Sequence, residues 1–150
     1  MATTKVYGTT QKHLDADVDW VSDTIKVTLH TSAYTPSQAT HEFFSSITNE
    51  LSSANGYTAG GLVLGTKSVV VTALVTAYKA ATSSWAVASG QTLTARYAVV
   101  RKDTGTAATS PVLVYVDMTT DQTASASGGA STSFDLVWDA TDGVFKVTAA

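Results

Sequence analysis

Six short segments dominated by Val, Thr, Ile, Leu and aromatic residues, each bounded by Gly, Ser, Asp or Pro, restrict this chain to an all-β architecture. Branched β-carbons suit a pleated sheet better than a helix. Ile25, Val27 and Leu29 alternate with Lys26, Thr28 and His30, the period of a strand with one wet face. The Val- and Thr-rich stretch from Lys67 to Tyr78 reads as one long strand or two short ones. Arg96 to Arg101 and Val112 to Met118 read as neighbouring antiparallel strands, with Asp103 to Pro111 as their surface connection. Pro111 stands at the entry of the second strand, where its missing N–H costs least, and Gly105 is placed to take a positive φ in the turn. Phe134, Leu136 and Trp138 share a face, and Asp139 to Gly143 supplies turn chemistry before Val144 to Thr148, which predicts a closing hairpin. The expected fold is mainly β, an antiparallel β-sandwich or a barrel, with at most one or two short helices.

Helical signals are few. Phe43, Phe44, Ile47 and Leu51 fall near helical spacing after a potential cap at Thr40, but Ser45, Ser46, Thr48 and Asn49 reduce this to a short helix or an ordered loop. A helical turn is expected after Tyr7. At 150 residues, with 44% hydrophobic and 14% charged residues, the chain has the length and apolar content for one packed domain. Residues 8–150 are expected to form that domain, preceded by a flexible arm over residues 1–7 and interrupted by a mobile Ser/Ala/Gly-rich loop at 121–133.

Charge and composition disfavour several classes of function. The net charge of −3 comes without a Lys/Arg stripe, which argues against direct nucleic-acid binding. No apolar run reaches the roughly 18 residues of a membrane span, and the first residues lack the apolar segment of a secretion signal, so synthesis in a cytoplasm is expected. The absence of Cys removes disulfides and thiolate chemistry.

Motifs that resemble chemical sites fail on detail. Asp15, Asp17, Asp19 and Asp23 fall at calcium-loop positions, but Trp20 stands where the loop needs Gly and Lys26 where it needs a bidentate Glu; a solvated acidic turn is the better reading. The Gly60 to Ser68 stretch misses a phosphate loop by one residue and leads into a strand, not a helix. His13, His30 and His41 lack metal or nucleophile-elbow spacing and read as surface or partly buried residues. Glu42 and Glu50 are the only glutamates; on a helix they would lie two turns apart on one side, an unspecific arrangement. Trp138 reads as core, whereas Trp85 is open to an edge position, where it would serve a sugar-stacking platform. Neither a catalytic centre, a cofactor nor a metal is expected.

The blocks "KVYG", "DW", "DTIKVTLHTSAYTPSQATHEFFSSITNE", "GYTAGG", "ARYAVVRKDTGTAATSPVLVYVD" and "WDATDGVFKV" resemble, in their order and over nearly the whole chain, a family of small virion proteins of tailed double-stranded DNA phages. The resemblance implies a capsid cement or decoration protein with a jelly-roll or related β-sandwich fold. Such a protein binds the outside of the expanded head, with the major capsid protein as partner and with itself as a dimer or trimer, and is made in the host cytoplasm. The chain departs from the family pattern at "KHLDADVDW", where a more apolar helix is usual, and in a longer loop at 121–133. No catalytic residue is implied. Lys5, Val6 and Tyr7, in a strand-like tail before the first Gly, are the expected subunit or capsid interface, with strand addition at a sheet edge as the mode. The alternative function is a tail, neck or head-fibre adhesion module that binds host-surface carbohydrate.

Overall fold

The computed structural model describes residues 2–149. It contains ten strands and one α-helix among these residues: β1 (Thr3–Val6), α1 (Thr10–Ala16), β2 (Ile25–His30), β3 (Leu62–Val63), β4 (Ser68–Thr72), β5 (Val75–Lys79), β6 (Ser83–Val87), β7 (Thr92–Lys102), β8 (Val112–Ser125), β9 (Thr132–Leu136) and β10 (Phe145–Thr148). They form a five-stranded sheet in the order β1-β8-β7-β2-β3, a three-stranded sheet β10-β5-β4 and a two-stranded sheet β6-β9, with all strand pairs antiparallel. The result is the expected mainly β, sandwich-type fold.

The β7–β8 hairpin is the spine, and its connection behaves as the sequence predicts. Val100 faces Val114 and Ala98 faces Val116, while Gly105 in the turn has φ of +83°. Pro111 sits just before β8, and its carbonyl accepts the Lys102 N–H. Two irregularities re-aim side chains: one between Val100 and Arg101, which leaves Leu113 unmatched, and one where Arg96 stands opposite residues 118–121.

One face of the large sheet carries Ile25, Val27, Leu29, Ala98, Val100, Val114 and Val116. The two smaller sheets cover it with Trp85, Val87, Phe134, Leu136 and Phe145, and Trp20 packs edge-on to Phe145 with ring centroids 5.4 Å apart. Burying each of these large side chains contributes about 1.5–3 kcal/mol. The second face is also dry. Tyr7, Val99, Val112 and Tyr115 form a separate cluster with Tyr34, covered by Phe44 and Ile47 from the 31–50 segment. The expected wet face of β2 is therefore absent: Thr28 and His30 are fully buried under that segment. The segment itself holds a short 3-10 turn at Phe44–Ser46.

Other expectations are corrected. Residues 3–6 are not a free arm but β1, hydrogen-bonded along β8, and Tyr7 behind them is buried; Met1 lies outside the described residues. The 121–133 loop is shorter than expected, since β8 continues to Ser125 and β9 begins at Thr132. β9 and β10 do not form a hairpin with each other: β9 pairs with β6 and β10 with β5, although Asp139 and Gly143 still bridge the turn between them. Asp139 makes that turn by accepting from the Thr141 and Asp142 N–H groups at 2.8 and 2.7 Å. The stretch from Lys67 to Tyr78 is two strands, turning at Ala73 and Leu74.

Candidate binding surfaces

Residues singled out for chemistry are used by the structure to fasten loops. Asp19 accepts from the Val21 and Ser22 N–H groups, and its own N–H donates to Asp23, which makes the acidic stretch a turn leading into β2. Asp15 instead lies on α1, bonded to Gln11, and Asp17 at its end approaches His13. Lys67, at the end of the Gly60 stretch, reaches the Asp23 carbonyl. Among the described residues no group of three or more His, Asp or Glu side chains is placed to share a metal ion.

Glu42 and Glu50 serve different neighbourhoods. Glu42 is 2.9 Å from Lys12, which holds its carboxyl below the usual range. Glu50 accepts both the Tyr57 hydroxyl and the Gly60 N–H at 2.6 Å, pinning one loop to another. Burial, and then this bond to Glu50, push the Tyr57 phenol far above its ordinary pKa.

His13 and His30 are fully buried, beyond the surface or partly buried placement expected of them. His30 Nδ1 meets the Thr48 carbonyl at 2.9 Å and Nε2 the Thr28 hydroxyl at 2.8 Å, and that hydroxyl also reaches the Val99 carbonyl at 3.3 Å. Burial lowers the pKa of the ring and so favours its neutral form. His13 Nδ1 is hydrogen-bonded to Asp17 at 3.0 Å, whereas Nε2 lies 3.3 Å from Glu42 and is buried without a hydrogen bond. His41 accepts at Nδ1 from the Tyr34 hydroxyl at 3.0 Å, and that hydroxyl is 2.7 Å from Tyr7. This chain of groups locks the 31–50 segment onto the large sheet.

Trp20, Trp85 and Trp138 are 2, 4 and 9% exposed, which places all three in the core and corrects the edge position considered for Trp85. They offer no stacking platform. Their polar ends differ, however. The Trp20 indole donates to the Lys79 carbonyl at 2.9 Å, whereas Trp138 Nε1 is buried without a partner.

Trp138 lines a groove that follows the outer edge of β1. Ala2, Thr4 and Val6 form one wall, and Leu136, Val137, Asp139 and Gly143 the other; the groove continues past Met118 and Thr119 at one end and to Phe145 and Lys146 at the other. Tyr7 N–H donates to Leu113 of β8, so by alternation along the ladder Thr4 and Val6 direct their backbone groups away from β8, into the groove. The Val6 carbonyl is taken by Gln38 Nε2 at 2.6 Å. No described strand lies beyond β1. Of the expected interface residues, Val6 is 38% exposed beside this groove and Lys5 is exposed, while Tyr7 faces inward and cannot contact a partner. Nothing in the sequence marks the opposite wall, where Val137 is 72% exposed.

A second open edge is β4. All five of its residues are exposed, Val71 by 68%, as is Leu74 at the turn by 64%. β5 covers only its other side.

Comparison with family models, with curated proteins and with solved structures found no match for this chain.

Proposed function

We propose that this chain is a cement or decoration protein of a tailed phage, which binds the outside of the expanded head and stabilises it by bridging capsid subunits. The observation that carries the reading is the groove along β1: an open sheet edge between partly apolar walls. An extended segment of the major capsid protein laid there would pair with the outward backbone of Thr4. It would also cover Val6 and Val137. The resemblance of the sequence to small virion proteins supplies the partner, and the groove supplies the mode.

The test is sedimentation of the protein with expanded, decoration-free capsids. Wild type should saturate the shells at a fixed stoichiometry. Thr4→Pro removes an outward N–H but no bond to β8 and is tolerated on an edge strand; it should lower the affinity at least tenfold with little change in thermal stability. Val137→Lys should act in the same direction. Failure of the wild-type protein to bind the shells would sink the proposal.

A further inference from the structure

The β4 strand reads Ser-Val-Val-Val-Thr from residue 68 to 72, nearly the same in both directions. We infer that two copies of this chain pair antiparallel through β4, about a two-fold axis at Val70, to join their three-stranded sheets into one of six strands. The inference rests on β4 alone and not on the virion reading, so each can fail without the other.

Three features point to a second copy as the occupant. The first is register. Centring the pair on Val70 sets Val70 against Val70, Val69 against Val71 and Ser68 against Thr72, so each residue meets one of its own size and polarity. A two-fold contact requires such self-complementarity, and few five-residue strands meet it. The second is backbone direction. Ala73 and Leu74 form a two-residue turn, and the flanking Thr72 and Val75 therefore close the hairpin with their mutual bonds. By alternation, Val69 and Val71 aim their N–H and C=O groups outwards, and in the proposed register these are the two residues that face each other across the axis. The pairing thus makes four backbone hydrogen bonds. The third is charge. Edge strands are ordinarily protected by Lys, Pro or a bulge, and β4 has none of these between Ser68 and Thr72. Lys67 would lie opposite Ala73 of the other copy, so no like charges meet.

The size of the contact sets its strength. A five-residue strand is about 17 Å long and a sheet about 10 Å thick, a footprint well below the roughly 800 Å² that each partner buries in a standard interface. The dimer is therefore weak in solution, dissociating in the micromolar range or above, and becomes effective where copies are concentrated on a surface.

The chain has no Cys, so single cysteines report the register directly. Across the axis, residues at 70 are a non-hydrogen-bonded pair with Cα atoms about 4.5 Å apart, within disulfide reach. Val69→Cys or Val71→Cys alone would place its sulfurs on a diagonal, with the residues about 7–8 Å apart, beyond that reach. Under mild oxidation at high protein concentration, Val70→Cys should cross-link at least tenfold faster than either neighbour, and an equimolar mixture of the 69 and 71 variants should cross-link to each other. Sedimentation velocity should show wild type shifting towards a dimer as concentration rises. Val70→Lys, at an exposed position, should keep the wild-type circular dichroism and melting temperature but stay monomeric. A wild type that remains monomeric at millimolar concentration, or equal cross-linking at 69, 70 and 71, would overturn the inference.

Discussion

Trp138 and Trp20 make a matched pair in which one hydrogen bond decides the outcome of the same substitution. Trp→Phe removes roughly 40 Å² of buried apolar surface, worth about 1 kcal/mol at 25 cal/mol per Å². At Trp20 it also removes the bond to the Lys79 carbonyl, about 1 kcal/mol net, and leaves that acceptor poorly met. The sum is about 2–3 kcal/mol. At Trp138 the indole N–H has no partner, so its removal relieves a desolvation cost of about 1–3 kcal/mol and offsets the lost surface. Trp138→Phe should therefore change stability by less than about 1 kcal/mol. For a chain of this length 1 kcal/mol corresponds to about 2–4 °C, so thermal unfolding should separate the two: a fall of about 5–10 °C for Trp20→Phe and under about 3 °C for Trp138→Phe. Urea titration checks that the slope is unchanged. Equal destabilisation by the two substitutions would mean that the Trp138 N–H is satisfied in the folded protein.

Three further results follow from buried charge and packing. Asp103 is raised by burial but held at about 2 by stronger bonds from Lys26 and Arg101, each at 2.6 Å. Asp103→Asn leaves the buried Arg101 without its carboxylate and should cost about 3 kcal/mol in urea unfolding at pH 7. Because the folded pKa is depressed, this contribution is present above the unfolded value near 4 and fades as pH falls towards 2, where wild type and variant should converge. His30 has a lowered pKa, caused first by burial. Its neutral form is favoured in the fold, so stability is complete above about pH 6.5 and declines below it as the unfolded chain takes up the proton; His30→Gln should flatten the decline between about pH 6.5 and 5 in a pH series of melting temperatures. Leu29→Ala, in the fully buried centre of β2, should cost about 2–5 kcal/mol and lower the urea midpoint accordingly.

What the sequence made legible was whatever local chemistry decides. The β7–β8 hairpin could be read because Gly105 and Pro111 suit only a turn and a strand entry, and the β4–β5 segment because Val and Thr exclude a helix. Strand partners were not legible at the C-terminus. Residues 134–148 carry hairpin signals, yet β9 and β10 separate because each finds a longer-range partner in β6 and β5, a choice made by packing of Trp85 on Phe134 and Tyr78 on Phe145. The wet face assigned to β2 failed for a similar reason: Thr28 and His30 look polar in sequence, but the 31–50 segment supplies their bonds and removes the water. Half of the candidate site was visible. Lys5, Val6 and Tyr7 read as a tail able to pair with a partner, and the structure keeps the strand character of Lys5 and Val6 while spending one edge on β8 and burying Tyr7. Val137 carries no signal in the sequence and Trp138 reads only as core, because a groove between distant segments leaves no periodic trace.

The two open edges differ in a way that bears on what copies of this chain can build. β4 carries a self-complementary sequence, and a contact about a two-fold axis closes at two copies, so it does not propagate into a fibre. β1 is flanked by Gln38 and by the wall at 136–143, and its residues Thr3 to Val6 are not symmetric, so it suits a different chain and not its own copy. A dimer joined at β4 would present two β1 grooves. Bound to a shell, such a dimer would hold two capsid segments at once, and dissociation of one would leave it held by the other at high effective concentration. Weak pairing at each edge is then sufficient for a strong bridge. This makes Val70→Lys informative beyond the dimer itself: if both proposals hold, it should leave the affinity of a single isolated capsid segment unchanged while lowering retention on the whole shell by tenfold or more. Equal retention of Val70→Lys and wild type on shells would separate the two edges functionally and leave β1 as the only attachment.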